Sequence, residues 1–319
     1  MKLSEQSREL RKIWSSFQQA RVLMTANNYR FFDHLKEPTT AVRLAVRKKT
    51  DKRATEILLD ALSGMGLLQK KQGHYKNRSI ASRLLVSDSP YYQGDIIKHA
   101  DALWHKWTDL DDVMKSGSPS RGSRSHKSFI MGMHNLSVLK AKDIVSNLDL
   151  RGVKRALDLG GGPGTYSIEL ARKGVEVTLF DTPDTIKIAR KVIGKGRGVK
   201  NLVGFIGGDF LTDDIGQDYD LIIVSQILHM FSEGANLRLL GKCKKALKKK
   251  GRVVVQEFLI NSERTHPLWS SLFSVNMLVN TDGGRTYTPE EIKTWLLRLG
   301  FVSARKKILS DGVLVSARK

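Results

Sequence analysis

Arg155-Ala156-Leu157-Asp158-Leu159-Gly160-Gly161-Gly162-Pro163-Gly164-Thr165-Tyr166-Ser167 is the stretch whose reading decides the fold. Ala156, Leu157 and Leu159 make a short apolar strand that runs straight into a glycine cluster. Residues 165–172 then read as a helix that stops at Gly174. Glycine lets a turn adopt positive φ and lets a ligand approach bare backbone, while the helix start offers unpaired N–H groups. Strand, glycine turn and helix in that order mark the carboxyl edge of a parallel sheet, where a nucleotide-like cofactor lies. Asp158, Gly160, Gly162 and Gly164 are therefore candidate cofactor residues.

The neighbours of this turn decide which cofactor. Gly160 and Gly162 fill the first and third positions of a dinucleotide fingerprint, but Thr165 stands at the sixth and the last glycine comes early, at Gly164. Asp181 closes a second apolar strand (Val177, Leu179, Phe180), 23 residues after Asp158, where an acid can grip ribose hydroxyls. Asp209 follows Phe205-Ile206-Gly207-Gly208, the end of a third strand, and can accept from an exocyclic amine. Phe210 beside it can stack on a purine, and Ser225 ends a fourth strand, Asp220-Leu221-Ile222-Ile223-Val224. Glycine turn, ribose acid and adenine acid in this order resemble the class I methyltransferases that use S-adenosylmethionine. The plain alternative is an ordinary αβ turn with two solvated carboxylates.

With 319 residues the chain has room for two domains. Its one cysteine, Cys243, excludes an intramolecular disulfide framework and reads as a buried apolar residue in a reducing, cytoplasmic setting. No run of 18 apolar residues is present, so membrane insertion is not expected, and the eight histidines form no HExxH pattern, so no metal is expected. The net charge of +22 is spread, with +10 in residues 1–100 and +11 in residues 151–319. A basic surface leaves nucleic acid open as a partner, but the spread favours a plain solvated surface or an acidic substrate.

The amino-terminal part is helical. Residues 5–35 carry a wide apolar face (Leu10, Ile13, Trp14, Phe17, Leu23, Phe31, Phe32), more than one helix needs against a small domain, so a partner chain is expected to cover it. Thr39-Thr40 and Asp51 cap two helices, and a hairpin-like piece at residues 68–75 follows. That is the outline of a winged helix, which serves DNA binding or dimerisation; Arg47, Lys48, Lys49, Lys52 and Arg53 keep the first use open. Residues 91–115 read as a further helix or pair. The polar loop at residues 116–128 has no core-forming residues, and one helix is expected at residues 129–148. On it Phe129, Met133 and His134 are candidate pocket residues, although His134 reads equally well as a satisfied interdomain histidine.

In the carboxyl-terminal part, Ser225-Gln226-Ile227-Leu228-His229-Met230-Phe231-Ser232-Glu233 leaves the fourth strand. A helix is expected at residues 235–249, with Lys242, Lys245, Lys248 and Lys249 as a solvated face, then a fifth strand at residues 252–258. Thr288-Pro289-Glu290-Glu291 is a capping box with proline at the first helical position, and Asp311-Gly312 joins two closing strands.

The whole order of pieces resembles the small-molecule O-methyltransferase family that includes the plant caffeate and flavonoid enzymes, acetylserotonin O-methyltransferase and many bacterial relatives. The resemblance implies an α/β fold: a Rossmann-like domain with a seven-stranded, mostly parallel sheet and a carboxyl-terminal antiparallel hairpin, preceded by a mainly helical winged-helix domain. The expected boundaries are residues 1–115 for dimerisation, 116–150 for a linker and connecting helix, and 151–319 for S-adenosylmethionine binding. It also implies a homodimer acting on a hydroxyl of a small-molecule acceptor, with His229 as general base and Glu257 orienting it. Two positions depart from the family pattern: Met230 stands for its Asp and Thr286 for its second acid, which leaves carbon or nitrogen acceptors open. Competing structural roles are helix capping for His229 and an ion pair with Arg252 or Arg285 for Glu257. A DNA-binding regulator with a degenerate methyltransferase domain is the rival from another class.

Overall fold

The computed structural model describes residues 2–122, 125–196 and 198–319. They form two compact units, one drawn from Met1–Trp104 and Arg124–Leu136, the other from His105–Ser123 and Ser137–Lys319.

In the first unit α1 (Leu3–Asn28) leads through a 3-10 turn to β1 (Thr39–Thr40), α2 (Ala41–Lys48) and α3 (Lys52–Gly64). Thr40 and Asp51 cap α2 and α3, their side chains accepting from the Arg43 and Ala54 amides. β2 (Leu68–Lys71) and β3 (His74–Asn77) form an antiparallel ribbon through Gln72 and Gly73, both at positive φ as a tight hairpin requires. β1 pairs with β3, α4 (Ser79–Leu84) follows, and α5 (Gly94–Trp107) carries the chain toward the second unit. Phe31, Phe32, Leu35, Leu59, Leu62 and Tyr75 pack at its centre. Along α1, Leu10, Ile13 and Trp14 remain exposed.

α6 (Leu110–Ser116) and α7 (His126–Val138) bracket the polar loop, of which Ser123 and Arg124 lie outside the described residues. Ser120 anchors that loop, its amide donating to the Val279 carbonyl and its hydroxyl to Asp109. The expected helix at residues 129–148 is two helices, because α7 ends at Val138 and α8 (Ala141–Ser146) begins after Lys140 leaves helical dihedrals. The break turns Ala141, Ile144 and Val145 into the core that flanks the sheet.

The second unit then alternates strand and helix: β4 (Arg155–Leu159), α9 (Thr165–Ala171), β5 (Glu176–Asp181), α10 (Pro183–Ile193), β6 (Val203–Gly207), β7 (Tyr219–Ser225), α11 (Glu233–Ala246) and β8 (Leu247–Glu257). α12 (Leu268–Asn280), α13 (Pro289–Arg298) and the hairpin β9 (Val302–Leu309) and β10 (Gly312–Arg318) complete it. The strand order is β6-β5-β4-β7-β8-β10-β9, parallel through β8 and antiparallel in the hairpin, as expected. Near-continuous apolar strands such as Leu221-Ile222-Ile223-Val224 suit a sheet covered on both faces. β9 is an edge, almost wholly exposed, and bears Arg305, Lys306 and Lys307 in succession.

Two expectations about the basic run fail. α11 stops at Ala246 and β8 starts at Leu247, which pairs with Tyr219 before the register shifts. Lys250 takes positive φ there, and a Cβ on Gly251 would sit 3.1 Å from the Tyr219 carbonyl, so the strand bulges where a helix end was expected. Lys242 and Lys248 are also not free solvated cations. Lys242 Nζ donates to the carbonyls of Phe210 (2.8 Å) and Asp213 (2.6 Å), and Lys248 pairs with Asp220 at 3.0 Å.

Candidate active site

The sheet's chain order reverses between β4 and β7, so the loops that leave their carboxyl ends diverge and open a crevice. The glycine turn lies at that point. The amides of Gly160 and Gly161 donate to the Phe180 carbonyl at 2.8 and 3.2 Å, bending the turn toward β5. Gly160 adopts φ +67°, and a Cβ there would collide with Cδ1 of Ile227 and lie 3.5 Å from the Phe210 ring. Backbone, Ile227 and Phe210 therefore meet at one place. Gly162 and Gly164 are also at positive φ, and Gly164 caps α9.

Asp181 is tied directly to the turn. Its Oδ2 accepts from the Gly162 amide at 2.8 Å and its Oδ1 from the Thr182 amide at 2.7 Å. Each carboxylate oxygen keeps a further lone pair for a ligand hydroxyl. Asp158 sits beneath the turn, buried, with Oδ2 accepting from Ser167 Oγ at 2.6 Å and Oδ1 without a partner. Burial pushes its carboxyl up to about 6, with the Asp181 charge adding to the shift and the Ser167 bond opposing it.

Asp209 and Phe210 occupy the loop after β6. Asp209 Oδ1 accepts from the Leu211 amide, Asp213 Oδ2 accepts from the Asp209 amide, and Lys242 clasps two carbonyls of the same loop. Phe210 stands edge-on to Phe231, with centroids 5.8 Å apart. At the tip of β7, Ser225 Oγ donates to Gln256 Oε1 at 2.8 Å, joining β7 to β8, while Gln226 takes φ +59° with its buried Nε2 unpartnered. A glycine-lined cradle, an aromatic wall and orphaned polar atoms fit a nucleoside cofactor.

His229 stands four residues beyond Ser225, in a single 3-10 turn (Leu228–Met230), and is 7% exposed. Its Nδ1 lies 2.9 Å from Oε2 and 3.1 Å from Oε1 of Glu257, the last residue of β8, which is 3% exposed. The Glu257 carboxylate also accepts from the His229 amide at 3.3 Å. The His229 ring faces a carboxylate rather than a helix end, and Arg252 pairs with Asp149 instead of Glu257. With Glu257 ionised, Nδ1 carries the proton and Nε2 keeps its lone pair.

Phe273, which no sequence signal singles out, and Phe258, at the end of the expected fifth strand, complete this pair. Phe273 of α12 stands perpendicular to the imidazole with centroids 4.9 Å apart, and Phe258 lies 5.8 Å away. Thr286 is buried and its hydroxyl donates to the Ser270 carbonyl at 3.0 Å; Met230 is half-buried. Phe129, Met133 and His134 lie on α7 in the first unit, where the Phe129 ring is 5.1 Å from that of His99. Among the described residues no group of three His, Cys, Asp or Glu side chains could hold a metal ion, and no helix is long and apolar enough to cross a membrane.

Comparison with known proteins gives a consistent result. Residues 115–302 match the model of the O-methyltransferase domain and residues 12–87 that of the O-methyltransferase dimerisation domain. A 3-hydroxy-5-methyl-1-naphthoate 3-O-methyltransferase of Streptomyces sahachiroi is 32% identical over 84% of this chain and 80% of its own length. The structure of human N-acetylserotonin methyltransferase in complex with SAM superposes with a TM-score of 0.91 over 100% of this chain and 99% of that one, at 26% identity. PigF with SAH superposes with a TM-score of 0.89 over 98% and 99%, at 25% identity.

Proposed function

The chain belongs to the O-methyltransferase family that carries a dimerisation domain, and from this premise we propose that it methylates an aromatic or enolic hydroxyl of a small molecule. S-adenosylmethionine, when bound, supplies an activated methyl group on a sulfonium. The chain's own task is to hold an acceptor oxygen in line and to take its proton. Asp181 engages the ribose, Asp209 the adenine amine and Phe210 its ring face, with Asp158, Gly160, Gly162, Gly164 and Ser225 shaping the cradle. A phenolic acceptor with an unperturbed pKa of about 10 yields its proton to a neutral imidazole. That proton goes to Nε2 of His229, and Glu257 balances the charge that the ring gains.

The single observation that carries this reading is the buried His229–Glu257 pair beyond the tip of the cofactor strands. The assignment of Phe129, Met133 and His134 to acceptor binding belongs to the same proposal. A homodimer through residues 1–115, with 116–150 as connector and 151–319 as the catalytic domain, is also part of it and is supported by the dimerisation-domain match at residues 12–87. Cys243, whose thiol burial pushes up to about 12, suits the reducing cytoplasm.

S-adenosylmethionine labelled with a 13C methyl group, offered with 3-hydroxy-5-methyl-1-naphthoate or N-acetylserotonin as probe acceptors, tests the proposal. Mass spectrometry should show one labelled methyl on the acceptor oxygen, and His229→Gln should cut turnover at least about 100-fold while calorimetry finds S-adenosylhomocysteine bound as before. Absence of any S-adenosylhomocysteine uptake by folded protein would end the enzymatic reading; undiminished turnover by the variant would end the base role alone.

A further inference from the structure

Position 286 holds a threonine where the family pattern has a second acid, and every polar atom of that threonine is bonded. Its hydroxyl donates to the Ser270 carbonyl at 3.0 Å, its amide to Ser274 Oγ at 3.2 Å, and its carbonyl accepts from Arg264 at 2.9 Å. Thr286 is 1% exposed and Ser270 3% exposed, so these bonds are shielded from water. Ser270 and Ser274 lie on α12 at positions i and i+4, and Phe273 lies between them on the same side of the helix. Thr286 therefore holds in place a helix whose Phe273 packs against the imidazole.

The contact is specific in geometry. The Phe273 and His229 rings meet at 89°, an edge-to-face arrangement, and Phe273 is buttressed by Phe258 at 4.3 Å. A histidine ring turns broadly about its outer side-chain bond, and one carboxylate bonded to Nδ1 leaves that swing incompletely restrained. The Phe273 ring packs edge-to-face against the imidazole at 4.9 Å, nearer than Phe258 at 5.8 Å.

We propose that Thr286 and Phe273 are positioning residues for His229: Thr286 pins α12, and α12 presents Phe273 so that the imidazole stays aligned on Glu257. The role of a second carboxylate is taken over by ring packing supported from a hydroxyl. The catalytic meaning of this arrangement rests on His229 being the base, but the arrangement itself is measurable without turnover.

The test is long-range 15N–1H spectroscopy on protein with 15N-labelled histidine, the His229 signals assigned by their loss in H229Q. In the wild type His229 should show one neutral tautomer, protonated at Nδ1. Phe273→Leu should lose that single tautomer, with 15N shifts averaged between the two forms. Thr286→Val should do the same, Thr286→Ser, which keeps the hydroxyl, should retain the wild-type spectrum, and the F273L/T286V double variant should look no worse than F273L. A wild-type tautomer in F273L overturns the proposal, as does a T286V protein with lowered thermal midpoint and unaltered tautomer. Should T286V fail to fold, F273L and T286S decide the matter. A fixed tautomer lost in F273L together with full turnover in H229Q would remove the base role and leave the positioning intact.

Discussion

His229 and Glu257 face one another across the tips of two neighbouring strands, with Nδ1 2.9 Å from Oε2 and both residues buried. A carboxylate in that place accepts from Nδ1–H and offsets charge on the ring, two effects that a neutral amide of equal size provides poorly. Glu257→Gln should therefore lower turnover about 100-fold and leave the affinity for S-adenosylhomocysteine within about twofold. Single-turnover methyl transfer beside calorimetry separates the two quantities.

Asp158 gives a pH signature. Its folded carboxyl is raised to about 6, so between roughly pH 4 and 6 the folded chain holds a proton that the unfolded chain releases. Stability from this group is unaffected below that window, falls as pH rises through it, and stays reduced above it. Asp158→Asn removes the effect. Urea titrations should show the variant gaining on the wild type by on the order of 2 kcal/mol from pH 4 to pH 7; a pH-independent difference would contradict the burial argument.

The glycine turn tolerates no side chain at position 160. Gly160→Ala would force positive φ on alanine and drive its Cβ into Cδ1 of Ile227. The expected loss is about 1–3 kcal/mol in unfolding free energy. Adding Ile227→Val, which removes the colliding carbon, should restore part of it. Equal stability of the single and double variants would show that backbone strain alone matters.

Lys242 ties the loop that bears Asp209 and Phe210 to α11 through two carbonyls. Lys242→Met keeps the aliphatic stem and deletes both bonds. If each is worth about 1 kcal/mol, affinity for S-adenosylhomocysteine should fall at least about fivefold. Lys249→Met, at an exposed position of β8, should leave it unchanged.

What the sequence revealed follows from where the chemistry sits. Gly160, Asp181, Ser225 and Glu257 lie at or just beyond strand ends, and Asp158 interrupts the apolar run of β4 one residue before its end, so all five candidates are visible in one dimension. α12 is different. Leu268–Asn280 contains no charged residue, and its serines and asparagines spread over more than half of its circumference, so its pattern is a weak helix signal that singles out neither Phe273 nor Ser270. The helical period makes Lys242 look like a surface cation because its partners, Phe210 and Asp213, are about thirty residues away along the chain. The resemblance located position 286 but could not show that its hydroxyl turns toward Ser270.

The outermost strand, β9, leaves one row of peptide groups without a neighbour, the kind of border on which sheets of separate molecules can join. Arg305, Lys306 and Lys307 sit along that border. Lys306 is paired with Glu290, and two copies approaching border to border would still bring Arg305 and Lys307 of each against the other, so like charge opposes that form of self-association.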